Sequence, residues 1–581
     1  MSVVERARVA WRPIERAHAA VPDAWVMLGL ALFAAALFVV RATGLPNLLD
    51  NEYRVGASAL DVLQHGDWLC PHDLLGNTDK PPLLVWLVAL ASWPSGHVTP
   101  LTLYLPTAIA TVLTAWLVVS AGTRRFGGLA GALGGFAYLC SHIGVQQMGT
   151  ARWDGLFAFT VTLTALAAFR AWMTGRGWTL FWLAATAATL TKGPLGVLLA
   201  AMGLLAVPWE RRSGRPRPLA GSQATGVTLF AVLTLGWFAL AYLRVGPHLV
   251  DDMIRGELLG HVVEHRVGFR FWKPLGDVAA NFAPWIVFGL VALYRVVRTP
   301  AVDDETRAFE RFLFCWFIGG LVLFSLSPHN QSRLMDPMIP PLALLAGREL
   351  DRGARWLSGR ALATAVALAA VAGLVVFGVE YHHTERRKPG VRETIALTGL
   401  ATNVRRAVGT AFPLTFTTDT PPALQLALDT MRPPVAIDDA AALLRSDAAA
   451  FVVVSELDRL RRALGAEAAR LHVLYRAQGD GTPPLYVVGN RPTLAWDDPT
   501  AARVGPLVVR LSGAVLGPAW TDSLELQARS DGGVAEIDNA SSAPQHVDVR
   551  RGARRDARTL APGEVWRVEV PCPEGRSCRP T

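Results

Sequence analysis

The chain is organised around Leu49-Asp50-Asn51-Glu52-Tyr53-Arg54 and, after an amphipathic segment, Thr78-Asp79-Lys80-Pro81-Pro82-Leu83. This stretch directly follows a long apolar run and holds several acids, an arginine and an Asp-Lys pair. Charges beside a membrane boundary are costly and mark functional sites. Apolar residues at helical spacing predict a helix on the membrane surface that begins near Asp50 and ends at Gly66. A purely structural interpretation, in which Asp50 caps this helix and Glu52 favours its dipole, stays open.

Lys80 stands just before a second predicted helix, which runs from Leu83 to Ala91 and is opened by Pro81-Pro82. A lysine opposes the helix dipole at that end, whereas an anion is favoured there by the dipole and by the free backbone N–H groups. We therefore interpret Lys80 as a phosphate ligand. The alternative is a lysine that pairs with Asp79 and is otherwise solvated.

These pieces together resemble the first extracytoplasmic loop of the GT-C glycosyltransferases that use lipid-linked sugars. That family includes the aminoarabinose transferases of lipid A and, more distantly, the protein O-mannosyltransferases. The resemblance rests on Asp50-Asn51-Glu52-Tyr53-Arg54, Gly66-Asp67-Trp68-Leu69 and Asp79-Lys80-Pro81-Pro82-Leu83. Family members carry two adjacent acids, whereas an asparagine separates the two acids in this chain. The resemblance implies a polyprenyl-phosphate sugar donor and transfer with inversion to a lipid, glycan or protein acceptor.

The composition of the chain indicates a polytopic membrane protein. Its 581 residues are 51% hydrophobic, and the mean hydropathy is +0.31, far above that of a soluble protein of this size. The net charge of +9 comes largely from arginines in short loops between apolar runs. This is the positive-inside pattern, so the charge indicates membrane topology and no nucleic-acid partner.

The arrangement of apolar runs predicts a mainly α protein with about eleven transmembrane helices. Single spans are expected over residues 129–145, 195–208, 278–294 and 338–345 among others. The arginine distribution places the N-terminus in the cytoplasm. An odd number of crossings then places the C-terminal domain outside, and the resemblance implies the inner (plasma) membrane of a bacterium with membrane lipids as surroundings.

Three domains are expected along the chain. Residues 1–380 form the transmembrane GT-C module. Residues 381–495 form an extracytoplasmic α/β domain, since buried strands at Phe451–Val454 and 485–488 flank a helical pattern. Residues 496–581 form an extracytoplasmic β-rich appendage of short alternating runs.

Three further polar positions lie on the same predicted outer side. Asp154, in Arg152-Trp153-Asp154, resembles a family position where an acid faces the active-site cavity. Lys192 resembles the lysine of a family Lys-Gly turn, although a snorkelling lysine without a catalytic role is the favoured interpretation. Arg333 is the candidate contact to the lipid phosphate, because Leu334 stands where the family has a tyrosine.

The loop Gly246–Lys273 breaks the expected charge pattern. Short outer loops are poor in Lys and Arg, yet this one holds four such residues. Basic residues kept against that bias indicate anion binding, with Arg266 and Arg270 as phosphate contacts. The alternative is attraction to anionic lipid headgroups.

The same loop offers ligands for a divalent metal ion. His261 and His265 are four residues apart, which on a helix places both imidazoles on one face. Together with Asp79 they form a candidate metal set. Metal binding is the less favoured outcome, because the metal requirement varies within the family.

The resemblance and the chemistry of transfer together assign roles. The reaction needs a cationic clamp for the departing lipid phosphate and, for a hydroxyl acceptor, a carboxylate base. Arg54, Lys80 and the loop arginines suit the clamp. Asp50, Glu52 and Asp154 are the catalytic candidates, and Asp50 is preferred over Glu52 as the base.

Two other classes of function fit the same composition. A transporter or flippase of a lipid-linked or anionic substrate is the alternative, although transporters carry internal repeats and charged sites near the membrane midplane. The informative charges of this chain instead gather at one membrane face. A non-catalytic sensor of lipid-linked sugars is the third possibility, because the asparagine interrupts the acidic pair.

Overall fold

The structure of the chain is a computed structural model. It describes residues 23–42, 51–73, 80–214, 219–247, 249, 253, 271–327, 331–379, 384, 387, 389–408, 414–428, 430, 432, 434–446, 450–477, 484–492, 502–504, 507–512, 514–516, 523–528, 533–539, 544–551, 554–561 and 564–571. Six of the residues singled out above lie outside the described residues: Asp50, Asp79, His261, His265, Arg266 and Arg270.

Helices form the first two thirds of the described chain. In order they are α1 (Asp23–Ala42), α2 (Asn51–His65), α3 (Leu83–Ser92), α4 (Pro100–Phe126), α5 (Gly128–Leu139), α6 (His142–Gln147), α7 (Trp153–Thr174), α8 (Trp178–Lys192), α9 (Leu195–Ala201), α10 (Ala206–Arg212), α11 (Ala224–Val245), α12 (Lys273–Asn281), α13 (Ile286–Arg298), α14 (Asp304–Leu326), α15 (Ile339–Ala354) and α16 (Gly359–Val379). Six of the described helices are long and apolar enough to cross a membrane, and one bent pair adds a seventh. The chain is therefore a polytopic membrane protein, as predicted, while the count of eleven crossings stays a prediction.

Two of the predicted spans are not single continuous helices, because a capping side chain and a proline interrupt them. The run over 129–145 divides between α5 and α6, where the hydroxyl of Ser141 accepts the backbone N–H of Gly144 at 3.2 Å and caps a new helix. The run over 278–294 is the bent pair α12 and α13, whose axes differ by 119°. Pro284 lies in the break and has no N–H to continue a helix.

The predicted span over 195–208 is also interrupted, by the 3-10 turn Met202–Leu205 between α9 and α10. Pro208 cannot donate to the carbonyl four residues earlier, which removes an α-helical hydrogen bond from this turn. Gly203 packs against the ring of Phe312 on α14, so closely that a Cβ atom would lie 2.4 Å from it. The shape of this segment therefore depends on a neighbour about a hundred residues away.

Helix α15 is longer than the predicted span over 338–345, because its charged second half is buried in ion pairs. Arg348 pairs with Glu310 of α14. Glu349 accepts from Arg295 of α13 at 2.7 Å. Charges rarely stay in a buried helix unless they are paired, and the pairs form only once three helices have packed together.

The first loop has the two predicted helices with the predicted ends. Helix α2 ends at His65, and Gly66 follows with φ of 72°, a left-handed conformation that favours glycine. Helix α3 begins at Leu83, directly after Pro82. The apolar face of α2, including Val55 and Leu60, is buried against α3, α4 and the C-terminal part of the chain.

The C-terminal part contains two separate β structures. A four-stranded sheet has the order β1-β2-β4-β3, in which β1 and β2 are parallel and the other pairs are antiparallel. Two further four-stranded sheets, β11-β10-β8-β7 and β12-β9-β6-β5, enclose a shared apolar core as a β-sandwich. The strands are β1 (Leu414–Phe416), β2 (Phe451–Val454), β3 (His472–Ala477), β4 (Leu485–Gly489), β5 (Ala502–Val504), β6 (Leu507–Ser512), β7 (Ala514–Leu516), β8 (Ser523–Ala528), β9 (Gly533–Asn539), β10 (Gln545–Arg551), β11 (Arg554–Leu560) and β12 (Val565–Val570).

Four described helices complete the domain around the first sheet. They are α17 (Pro389–Val408), α18 (Pro422–Ala427), α19 (Ile437–Leu444) and α20 (Leu457–Leu464). The domain packs on the first loop, since Phe416 of β1 and Leu424 of α18 share a core with Val55 of α2. Gly56 of α2 lies so close to Leu426 that a Cβ atom would sit 2.6 Å from that side chain. Helix α2 therefore joins the membrane helices to the C-terminal domain.

Candidate active site

Glu52 occupies the first turn of α2, and its side chain is buried. The hydroxyl of Tyr104, near the start of α4, donates a hydrogen bond to its Oε2 atom at 3.3 Å. A buried carboxylate needs such partners to offset the loss of water. The contact fixes Glu52 at the junction of α2 and α4, which suits a residue that orients the loop more than it suits a base.

Arg54 lies two residues further along α2 and pairs with Asp73. Its Nε atom donates to Asp73 Oδ2 at 2.9 Å, and Asp73 is buried. Hydrogen bonds between charged groups are the stronger ones in proteins. The pair therefore holds the segment after α2 in place, and Asp73 is a residue of this region that the sequence reasoning did not identify.

Lys80 lies beside the N-terminus of α7. Its Nζ atom is 5.4 Å from the ring centroid of Trp153, within the range of a cation–π contact. Trp153 opens α7 and directly precedes Asp154. Lys80 from the first loop and the acid on α7 are thus brought to the same side of the helix bundle.

Asp154 is buried and touches two cations from different elements. Lys192, the last residue of α8, forms an ion pair with Asp154 Oδ1. Arg333, in the 3-10 helix Ser332–Met338, places its Nε atom 3.8 Å from Asp154 Oδ2. A carboxylate at a helix N-terminus is also favoured by the helix dipole. Two cations meet one acid here, so the cluster attracts anions.

Asp336 extends this cluster into the interior. Its side chain is 0% exposed. Among the described residues neither carboxylate oxygen has a partner at full hydrogen-bond geometry, although the hydroxyl of Tyr138 is close enough to interact with it. A buried acid with so few partners is costly and points to function. Asp336 is not among the candidates predicted from the sequence, although an acid inside the apolar run Leu334-Met335-Asp336-Pro337-Met338 is a visible signal.

The described candidates thus form two neighbouring groups. Glu52 and Arg54 lie on α2, and the cluster of Lys80, Asp154 and Arg333 lies at the start of α7. Lys192 joins that cluster, so its amine points to a buried acid instead of the water that snorkelling requires. Within the described part of the chain, no group of three or more His, Cys, Asp or Glu side chains is arranged to hold a metal ion, and the predicted metal set lies outside the described residues.

A hydrogen-bonded group of one acid and two histidines lies near the other end of α2. Asp61 contacts His65 Nδ1 at 2.8 Å and His72 Nδ1 at 3.2 Å, and it accepts the backbone N–H of His72 at 2.9 Å. Burial opposes ionisation of Asp61, but the hydrogen bonds outweigh it and hold its pKa below the usual range. The hydrogen bond to Asp61 in turn raises the pKa of His72, against a smaller opposing effect of burial.

Comparison with known proteins identifies relatives of the membrane part. The profile of the family described as dolichyl-phosphate-mannose-protein mannosyltransferase matches residues 79–237. An undecaprenyl phosphate-α-4-amino-4-deoxy-L-arabinose arabinosyl transferase from Pseudomonas fluorescens is 25% identical over 58% of this chain and 60% of its own length. The enzyme of the same description from Pseudomonas aeruginosa is 29% identical over 55% of this chain and 59% of its own. The chain thus spans about 60% of the length of these relatives.

A solved structure shows the same fold over a larger part of the chain. The crystal structure of ArnT from Cupriavidus metallidurans bound to undecaprenyl phosphate aligns with a TM-score of 0.63 at 21% identity, covering 82% of this chain and 99% of that one. The chain has the fold of this ArnT. The sequence relatives and this fold together confirm the resemblance to the GT-C transferases of lipid-linked sugars. The apo structure of the same ArnT aligns similarly, with a TM-score of 0.62.

Proposed function

We propose that the protein is an integral membrane glycosyltransferase that moves a sugar from a polyprenyl-phosphate donor to a lipid, glycan or protein acceptor. The observation that carries the proposal is the cluster at the start of α7, where Lys192 and Arg333 contact Asp154 and Lys80 lies over the ring of the neighbouring Trp153. The relatives named above use undecaprenyl phosphate sugars. A solved protein of the same fold binds undecaprenyl phosphate, whose phosphate is the anion that such a cluster suits.

The proposed reaction breaks the bond between the anomeric carbon and the phosphate oxygen of the donor. The departing phosphate keeps the electron pair, and Lys80 stabilises the charge that develops on it. Arg266 and Arg270 are the further phosphate contacts, with Arg54 shaping the loop through Asp73. The acceptor hydroxyl attacks from the opposite face and gives its proton to a carboxylate, which inverts the anomeric centre.

The base in this scheme is Asp50, with Glu52 as the second choice. Glu52 is already engaged by Tyr104 in a buried contact. This leaves Asp50 to receive the proton, while Asp154 holds Lys192 and Arg333 in position for the donor.

We propose that this site faces outward from the inner membrane of a bacterium. The opposite ends of the helices carry the arginines, where Arg125 pairs with Glu305 and Arg311 with Glu210, and arginine-rich ends favour the cytoplasm. The N-terminus is then cytoplasmic, with eleven crossings up to residue 380 and two outer domains divided near residue 495. The test treats intact cells with an impermeant maleimide and compares Gly214→Cys with a variant that carries a cysteine at residue 520. Labelling at residue 214 but not at residue 520 would reverse this orientation.

A divalent metal held by Asp79, His261 and His265 is a separate proposal. Carboxylate and imidazole ligands suit a zinc-like ion. Removal of the metal with a chelator, followed by its return, tests the set: transfer that falls and recovers supports it. Transfer that is indifferent to the chelator rejects it.

The proposed activity is tested by the transfer of label from donor to acceptor. Purified protein in detergent receives a radiolabelled sugar on polyprenyl phosphate, together with membrane lipid and glycan acceptors. Label in an acceptor fraction supports a transferase. A protein that only moves the intact donor across the bilayer of a liposome is the alternative, a transporter or flippase, and a protein that binds the donor without either outcome is a sensor.

A further inference from the structure

A cavity of about 270 Å³ lies at the C-terminal end of α2, between the first loop and the β-sandwich. The first loop and the segment after α3 contribute His65, Trp68 and Trp93 to its wall, and strands β10 and β11 contribute Arg550 and Arg555. The cavity therefore forms only where the membrane part and the last domain of the chain meet. It lies apart from the cluster at the start of α7.

The wall is held together by a contact across the two parts. The guanidinium of Arg550 donates to the backbone carbonyl of Gln64, in the last turn of α2. Carbonyls in the last turn of a helix lack partners within the helix, and a cation is favoured there by the dipole. The contact thus closes α2 and fixes the sandwich against it, which keeps the cavity open at a defined place.

The lining combines two indole rings with guanidinium groups that hydrogen bonds hold in place. The rings of Trp68 and Trp93 lie 5.9 Å apart with their planes inclined by 37°, and Trp93 is 59% exposed. Arg555 donates through Nε to Asp548 at 2.6 Å, which orients its guanidinium. Among the described residues that line the cavity there is no acid.

This combination matches one class of ligand. The C–H faces of a sugar ring are apolar and pack on indole rings. Guanidinium groups bind carboxylate or phosphate oxygens with two parallel hydrogen bonds. Ligand pockets in proteins commonly pair an apolar, aromatic lining with a few oriented polar groups.

We propose that this cavity binds an acidic saccharide, the distal sugar part of the acceptor. The inference rests on the proposed function, since it supplies the acceptor with a docking place. Helix α2 separates the cavity from Glu52 by thirteen residues, which is about 20 Å at 1.5 Å per residue. Only an acceptor with several sugars, or a large headgroup, reaches both ends of α2.

Isothermal titration of the purified full chain in detergent tests the proposal. The probes are trigalacturonate, a phosphorylated maltotriose and neutral maltotriose, which separate carboxylate from phosphate as the source of charge. At least one acidic probe is expected to bind roughly tenfold more tightly than the neutral one, because a hydrogen bond to a charged group contributes about one factor of ten. Equal binding of all three probes would overturn the proposal.

Variants of the lining assign the binding to this cavity. Arg555→Gln and Trp93→Ala are each expected to weaken the binding of the acidic probe roughly tenfold. Arg558→Gln is the matched control, because Arg558 lies on the same strand and pairs with Glu564 on the surface at 2.6 Å. Unchanged affinity in both lining variants would place the probe elsewhere and refute the site.

Transfer kinetics separate this inference from the proposed function. Arg555→Gln is expected to raise KM for an acidic acceptor while kcat stays at the wild-type value, since the contact is distant from the reacting atoms. Wild-type transfer with no binding of any acidic probe would refute the cavity and leave the transferase intact. Probe binding that depends on Arg555, in a protein that transfers no sugar, would instead refute the proposed function.

Discussion

Replacement of Lys80 by alanine tests the phosphate clamp. Lys80 contacts the ring of Trp153 at 5.4 Å, and at a partly exposed position such a contact contributes about 0.5–1 kcal/mol. The fold should therefore survive the change. The same amine is proposed to meet the charge that grows on the departing phosphate, and loss of such a group costs about 3 kcal/mol, which is about a hundredfold in rate. Activity should fall much further than stability.

The assay compares turnover of a radiolabelled polyprenyl-phosphate sugar by Lys80→Ala and wild type at equal amounts of folded protein. Lys80→Arg keeps the charge with a different geometry and should retain part of the activity. Arg459→Ala is the control for loss of a cation, since Arg459 is an exposed residue of α20 that pairs with Glu456. Wild-type turnover in well-folded Lys80→Ala would refute the clamp.

Three further predictions concern acids, a buried cation and pH. Asp50→Asn should lower the rate of transfer to a hydroxyl acceptor by about a hundredfold or more, while Glu52→Gln keeps a larger share of the wild-type rate. An inactive Glu52→Gln beside an active Asp50→Asn would exchange the roles. Two active variants would indicate an acceptor that needs no base. Lys192→Met should lower the free energy of unfolding, measured by thermal unfolding, by about 2 kcal/mol. This is below the usual cost of breaking a buried ion pair, because a second cation, Arg333, lies close to Asp154. An unchanged unfolding temperature would contradict the pairing of Lys192 with Asp154. The raised pKa of His72 and the lowered pKa of Asp61 make their contact strongest between the two pKa values. Its contribution is lost as pH rises through the pKa of His72 and as pH falls through that of Asp61. His72→Gln should therefore destabilise the protein more at pH 5.5 than at pH 8.5, and the same difference at both values would disprove the linkage.

Local signals in the sequence were sufficient to predict the first loop. Apolar spacing, Gly66 and the Pro81-Pro82 pair define where α2 ends and α3 begins, because each acts within one helical turn. The breaks in the longer apolar runs depend on distant partners instead. The tight contact of Gly203 with Phe312, and the burial of Arg348 against Glu310, exist only after the helices have packed.

The residues of the candidate site differ in the same way: some carry local signals in the sequence, and others depend on distant partners. Lys80 and Asp154 carried signals of their own, a proline-opened helix and an acid at a helix start. Lys192 is 38 positions from Asp154 along the chain, and nothing in its own neighbourhood distinguishes an ion pair from a snorkelling amine. Asp336 was detectable as a charge in an apolar run, but its burial beside Tyr138 is a property of the packed structure.

The central claim, that a sugar leaves a lipid phosphate at this site, is tested most directly by the two products of one reaction. Purified protein is incubated with a polyprenyl-phosphate sugar and an acceptor, and mass spectrometry with NMR follows both lipid and sugar. Free polyprenyl phosphate and glycosylated acceptor in equal amounts, with the anomeric configuration inverted, are the expected result. Donor that remains intact in the presence of folded protein and a range of lipid, glycan and protein acceptors would contradict the account.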